Sequence, residues 1–521
     1  MATSIETAPM SSSDFFKPLG LGKPLENFDY LKQNGQSNLT THKHQRMHQL
    51  LEGLKQYGIL FHETHGSNIP PEALMHDRSA PIPAFVICPK SEWGVSKALK
   101  LLKDLELYGK VPVSVKSGGH GYFNGASCSG IMLSLAHMTK KWVADDTCTL
   151  HLEPGCILGQ TIDILAKHHK AVPHGDCFGV GAGGHFLTAG WDLILARKYG
   201  LGCQNVTGGR VALWDGSVID VSENSHPDVL FAMRGGALAE IGVATEIRLR
   251  LIQEPPQATW RFTRISQTQL DTVVSHGAFS NALNLPRDVS VSMRFHFESD
   301  QLEPVCSLNV VSLLNLSQTL DSLKRHLGHE VTSLVDDATA WNQGSLLDIR
   351  MLPASDFLSF NRGMLAEMSP EALQADPRKY WKESSVLREM ASSYFTSISY
   401  WVKPTCEAMF PKLFEKFKSV QHHEARKRMY VLVILGGGRM LDLQTECAMP
   451  LGTALSRFEL HWDEPEDETW SRAFTNDVAK IIQSEKDDGP SRPYRGDIWL
   501  KEQAHDVKLL TIFNEYDRRL S

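Results

Sequence analysis

The chain has 521 residues, 42% of them hydrophobic and 22% charged, with a formal net charge of -7. That length exceeds one ordinary core and implies about two to four domains. The acidic balance argues against a nucleic-acid partner, which needs a basic surface to displace counterions. No apolar run approaches the length of about 18 residues that a membrane helix requires, and the first residues lack the apolar centre of an export signal. The nine cysteines are scattered, odd in number and without a CxxC pair. This suits the reduced thiols of a cytoplasmic chain, and Asn38, Asn205 and Asn315 are then chance glycosylation matches.

In chain order, residues 1–70 read as a polar lead and one helix near Gln45–Tyr57, with Met47, Leu50, Leu51 and Leu54 at helical spacing. Short apolar runs then alternate with helices: strands at Ala84–Cys88, Val111–Val115, Ile131–Leu135 and Thr149–Leu152, helices at Glu92–Leu107 and Leu158–His169. Arg210–Leu213 and Ser217–Val221 flank Asp215-Gly216, which predicts a type I′ hairpin. A long strand, Gly242–Ile252, ends near Pro255-Pro256, a natural boundary. Beyond it, Val289–Phe297, Val305–Leu314, Tyr394–Val402 and Met429–Leu435 read as strands among longer helices. A last helix is expected at His505–Asp517.

Two glycine clusters carry the chemistry. Lys116-Ser117-Gly118-Gly119-His120-Gly121 follows a strand directly, where backbone N–H groups can approach an anion such as a pyrophosphate. The alternative is a tight turn bearing a surface histidine. In Cys177–His185 the glycines at 179, 181 and 184 formally satisfy GxGxxG. A Rossmann reading fails on context, because Pro173–Asp176 is a poor strand and no ribose-binding acid follows at the right distance. No HExxH, Walker or GxSxG motif is present, so no metal is expected; His62-Glu63-Thr64-His65 has the wrong spacing, and His422-His423-Glu424 reads as a solvated face.

Strand-SGGH, CxxxGxGGH, Arg197-Lys198-Tyr199-Gly200-Leu201 and Met233-Arg234-Gly235-Gly236 stand in one order. Together they resemble the FAD-binding domain of the berberine bridge enzyme-like family, in the vanillyl-alcohol oxidase (PCMH-type) superfamily. The resemblance covers residues 80–252 and returns at Lys508-Leu509-Leu510 and Glu515-Tyr516-Asp517. It implies FAD, bonded at its 8α carbon to His120 and at C6 to Cys177; the alternative for Cys177 is an inert buried thiol. It places Lys116, Ser117, Gly118, Gly119, Gly121, Val180, Gly181, Gly183, Gly184, His185, Thr188, Gly242 and Val243 around the cofactor, with Tyr122 and Trp191 as neighbours. Val180 falls at the family's oxygen-gating position, where a small residue implies an oxidase that reduces O2 to H2O2.

The sequence also departs from that family. Ala448-Met449-Pro450-Leu451 stands where many members read A-F-P-H-R, and Tyr494-Arg495-Gly496-Asp497 replaces a Y-x-N-Y-like segment. In the berberine bridge branch a carboxylate lies five residues before a strand tryptophan, and here that position is Arg457. The strand Leu455–Trp462 puts Arg457, Glu459 and His461 on one face by alternation, leaving Glu459 and His461 as proposed bases or as solvated strand positions.

The expectation is thus an α+β fold: an extension (1–70), a PCMH-type FAD-binding domain (71–255), a substrate domain of antiparallel sheet under helices (256–470) and a returning C-terminal segment (471–521). The expected activity is oxidation of an alcohol, amine or activated C–H group of a specialised metabolite. The partners are the small-molecule substrate and O2, with no nucleic acid or membrane, and the state is a monomer or homodimer. A carbohydrate oxidase, a flavin-dependent oxidative cyclase and an inactive flavin-binding protein are the alternatives.

Overall fold

The structure is a computed structural model that describes residues 37–64, 69–121, 126–175, 177, 179–236, 238, 241–298, 301–350, 394–449 and 451–487. The first sheet holds β1 (Leu60–Glu63), β2 (Phe85–Cys88), β3 (Val113–Lys116) and β4 (Ile131–Ser134) in the order β1-β2-β4-β3. β4 runs parallel to both β2 and β3. Helices α1 (Ser37–Gln56) and α2 (Glu92–Asp104) cover it, burying Leu50, Leu54, Val95, Leu99 and Leu102 against Ile87 and Leu133. α2 starts where Ser91 Oγ accepts the N–H of Gly94 and stops at Leu105, so it is shorter than its apolar pattern suggests.

A second, antiparallel sheet runs β5 (Lys141–Val143), β6 (Thr149–Leu152), β10 (Gly242–Arg250), β8 (Val206–Leu213) and β9 (Val218–Ser222). Short strands β7 (Lys170–Ala171) and β11 (Ile252–Gln253) pair separately, so the long strand expected to Ile252 is broken at Leu251. The β8–β9 hairpin forms, but not as type I′. Only Gly216 of its Asp215-Gly216 pair has positive φ, and Gly216 N–H reaches Leu213 O at 2.9 Å. This is a type I turn closed by a left-handed glycine, which needs less strain at Asp215 than two consecutive left-handed residues.

The third sheet has seven strands: β12 (Ala258–Ile265), β13 (Val289–His296), β14 (Val305–Ser312), β15 (Asn342–Gly344), β16 (Tyr394–Val402), β17 (Met429–Leu435) and β18 (Ala454–Trp462). Their order is β15-β12-β14-β13-β17-β18-β16, antiparallel throughout. One face packs Met293, Phe295, Val431, Val433, Phe458 and Leu460 under helices that include Phe410–Lys418 and Glu468–Gln483. Because Phe474, Val478 and Ile482 insert into that core, the unit built on the third sheet extends through the helix that ends at Gln483, past the boundary expected at 470. The segment from 488, with the expected last helix and the Tyr494–Asp497 and Lys508–Asp517 matches, lies outside the described residues.

The units meet through buried polar anchors. Arg197 donates to the carbonyls of Gly436 (3.1 Å), Leu285 (3.2 Å) and Val289. Burial pulls its guanidinium down to about 10, so it is still a cation at neutral pH. Arg350 pairs with Asp192 at 2.5 Å, and both are buried. Asn205 is also buried, with its amide donating to Tyr199 O and Leu201 O, which removes it as a glycan acceptor. Replacing Arg197 by Met strands several carbonyls. We expect a loss of about 3 kcal/mol or more in urea unfolding, and a loss within 0.5 kcal/mol, roughly a surface-substitution effect, would contradict this account.

Candidate functional site

The two glycine clusters, distant in sequence, press together backbone to backbone. A Cβ on Gly118 would stand 2.4 Å from Gly181 N, and one on Gly181 would stand 2.1 Å from Gly118 N. Ser117 locks the contact: its Oγ donates to Pro154 O at 2.5 Å and accepts Gly183 N–H at 3.2 Å. Gly119 O accepts His76 N–H at 2.9 Å. Among the described residues, the amides of Gly118, Gly119 and Gly181 enter no hydrogen bond. A patch of uncommitted donors at a glycine-lined contact fits a pyrophosphate-bearing group. Lys116 is buried beneath, and desolvation pulls its ammonium down to about 8 against the opposing pull of Cys88 and Glu72.

The remaining expected cofactor residues are more dispersed. Cys177 is half-buried, and its carbonyl accepts Val180 N–H at 3.2 Å. Val180 packs partly on the core of the second sheet. His185 Nε2 accepts Gly175 N–H at 3.1 Å, and burial drives its pKa down to about 4. Thr188 Oγ1 donates to Gly184 O at 2.7 Å, whereas Gly184 itself faces open space. Gly242 opens β10 opposite Leu213, and Val243 sits in the core under α2. Trp191 lies 5.6 Å from Trp401, ring to ring. Gly121 ends a described stretch, and Tyr122 lies outside it.

His120 is buried and stacks on His76, with centroids 4.4 Å apart and planes within 6°. His76 in turn contacts Phe395 at 5.2 Å and His461 at 6.2 Å, and those two rings stack on each other. The loop histidine is therefore joined by rings to the polar face of the third sheet. On that face β18 presents Arg457, Glu459 and His461, as alternation predicts. Glu459 is fully buried rather than solvated. Tyr430 stands directly opposite on β17 and donates its hydroxyl to Glu459 Oε2 at 2.5 Å, while Arg457 contacts Oε1. Desolvation, aided by Arg428 and Arg457, drives His461 down to about 3, so it is neutral at ordinary pH. Its 3.7 Å approach to Glu459 is then not an ion pair.

Tyr430 and His76 are functional candidates that the sequence reading missed. Tyr430 sits inside an apolar run, and only the β17–β18 register reveals it. His76 lies in an irregular segment with no periodicity to mark it. His423, read as solvated, instead stacks on Trp470 at 3.6 Å, away from this site.

A family model described as an FAD binding domain matches residues 83–222, which include both glycine clusters. Residues 83–222 are an FAD-binding domain. The cofactor is therefore FAD. The chain is 34% identical over 154 residues to a chitooligosaccharide oxidase of Gibberella zeae, covering 29% of this chain and 31% of that protein. It is 29% identical over 178 residues to the FAD-dependent monooxygenase CTB5 of Cercospora beticola, covering 33% of each. The chain thus spans about a third of the length of these curated relatives. Its fold is that of the berberine bridge enzyme-like proteins: the structure of BBE-like #28 from Arabidopsis thaliana superposes with a TM-score of 0.72 at 17% identity, over 86% of this chain and 88% of that one. Among the described residues no helix is long and apolar enough to cross a membrane, and no cluster of His, Cys, Asp or Glu is arranged to hold a metal.

Two predictions follow from this geometry. Gly181→Ala forces a methyl group into Gly118, so the purified variant should lose most of its flavin absorbance while keeping its far-ultraviolet dichroism; full flavin content would count against the contact. The second concerns pH. His185 and His461 have folded pKa values near 4 and 3, below the unfolded value of about 6.5. The unfolded chain therefore binds the extra protons in that window, and stability falls as pH drops from about 6.5 towards 4. His185→Gln should flatten that slope in a Tm–pH series, and an unchanged slope would remove His185 as a contributor.

Proposed function

We propose that the chain is an FAD-dependent oxidase of a small organic molecule, an alcohol, amine or activated C–H group of a specialised metabolite, bound against the polar face of β18. The Tyr430–Glu459 pair, joined by rings to the cofactor loop, carries this reading. Glu459 holds the hydroxyl proton of Tyr430 and can draw it off as Tyr430 oxygen takes the proton of a substrate X–H group. A positioned base of this kind contributes typically about 10²–10⁴-fold. Arg457, against the other carboxylate oxygen, fixes the orientation of Glu459. Neutral His461 can hydrogen-bond a substrate oxygen without carrying charge. Bound FAD supplies the two-electron acceptor. The base that the berberine bridge pattern places at 457 is thus replaced by a carboxylate two residues on and a tyrosine across the strand.

In this reading FAD is attached covalently through His120 and through Cys177 as well, and Val180 leaves room for O2 as the final acceptor, giving H2O2. Acid precipitation tests the attachment. Yellow colour should stay with the protein in the wild type and in each of His120→Ala and Cys177→Ala, and leave it in the double variant; release from the wild type would reject the covalent link. For the chemistry, Tyr430→Phe and Glu459→Gln should each lower kcat by about 10²-fold or more with flavin content unchanged. Unaltered kcat in both would remove the pair from the mechanism.

One observation favours a second reading, a carbohydrate oxidase. The same sheet face buries His296 Nδ1, Ser307 Oγ, Asn309 Oδ1 and Ser397 Oγ without hydrogen-bond partners, groups that sugar hydroxyls would satisfy. The name of the Gibberella zeae relative points the same way. Peroxide release from mono- and oligosaccharides, measured beside phenolic and alcoholic metabolites, separates the two.

A further inference from the structure

Cys203 and Cys447 stand 244 positions apart in sequence, one in the flavin unit and one between β17 and β18 of the substrate unit, yet their sulfurs lie 3.7 Å apart. Both side chains are buried. Each is held by its own backbone: Cys203 N–H donates to Ala189 O at 3.0 Å, Cys447 N–H donates to Gln444 O at 3.3 Å, and the next amide, Ala448, donates to Arg234 O at 2.7 Å. Around them Ala189, Leu201, Trp401, Met449 and Leu455 make one apolar cluster that spans the junction of the two units. Nothing in the oxidation chemistry uses these thiols.

We propose that Cys203 and Cys447 close a disulfide that fastens the flavin unit to the substrate sheet. The sulfurs must approach from 3.7 Å to about 2.05 Å for the bond to form. The oxidant is a low-molecular-weight disulfide such as glutathione disulfide. One cysteine thiolate attacks it and expels one glutathione thiol, and the other cysteine then displaces the second, so two protein thiols become one disulfide and one oxidant molecule becomes two thiols. Burial and the neighbouring thiol hold Cys203 well above the ordinary cysteine range. Thiolate is therefore scarce in the folded molecule, and the exchange runs most readily in the refolding chain, before the apolar cluster closes over the pair. Once formed, the bond closes a very long loop, the situation in which a cross-link restricts the unfolded chain most, and the apolar cluster shields it from external thiols.

Peptide mapping of the full-length flavoprotein tests this. The protein is incubated with glutathione disulfide, and in parallel refolded in the same redox buffer, then denatured and alkylated with and without prior reduction. The expected result is a cross-linked peptide pair joining Cys203 and Cys447, lost on reduction and absent from Cys203→Ser and from Cys447→Ala. Reduction should also lower Tm by about 5 °C in the wild type and leave Cys447→Ala unmoved. Should either variant fail to fold, the wild-type map alone decides. Complete alkylation of both residues under both regimes, a bond from either cysteine to a different one, or a cross-link whose reduction leaves Tm unchanged would each overturn the proposal.

Discussion

The contact between Gly118 and Gly181 is the constraint on which the site depends. Two loops from separate parts of the flavin unit can bring their amides to one place only if neither carries a side chain at the point of touch, because a methyl group on either would lie far inside van der Waals distance of the other backbone. Ser117, next to Gly118 in the first loop, donates its hydroxyl to Pro154 O and accepts Gly183 N–H from the second. From this junction His120 projects towards His76 and the third sheet. The polar face of β18 thus lies across a chain of rings from the loop that this contact anchors.

Relative placement of the two units rests on charge as well as packing. A buried guanidinium such as that of Arg197 is costly unless every donor finds an acceptor, and here carbonyls of Gly436, Leu285 and Val289, in the unit of the third sheet, supply them. The Asp192–Arg350 pair repeats the arrangement elsewhere: Asp192 also accepts the amides of His174, Ile194 and Leu195. Such joints tolerate little sliding, since any shift leaves a cation or several carbonyls unpaired at once.

Much of this was legible in the residues. Glycines after an apolar strand marked the loop that meets Gly181, and strand alternation alone put Arg457, Glu459 and His461 on one face. What alternation could not give was the neighbour across the ladder. Tyr430 belongs to a continuous apolar run, and its pairing with Glu459 is a matter of register between strands 29 residues apart. Burial was likewise out of reach: Glu459 and Asn205 are polar positions that only tertiary packing shows to be enclosed. The hairpin at Asp215-Gly216 was placed correctly but given the wrong turn, because the dipeptide fits both geometries and the loop length decides.

The third sheet divides its labour by parity. Met293, Phe295, Val431, Val433, Phe458 and Leu460 hold the helices, while the residues between them, Arg294, Tyr430, Leu432, Arg457, Glu459 and His461, look the other way. A substitution at one of these alternate positions changes the face turned towards His120 while the apolar side chains under the helices keep their own identity and packing partners, so one sheet carries two surfaces that can vary separately in sequence.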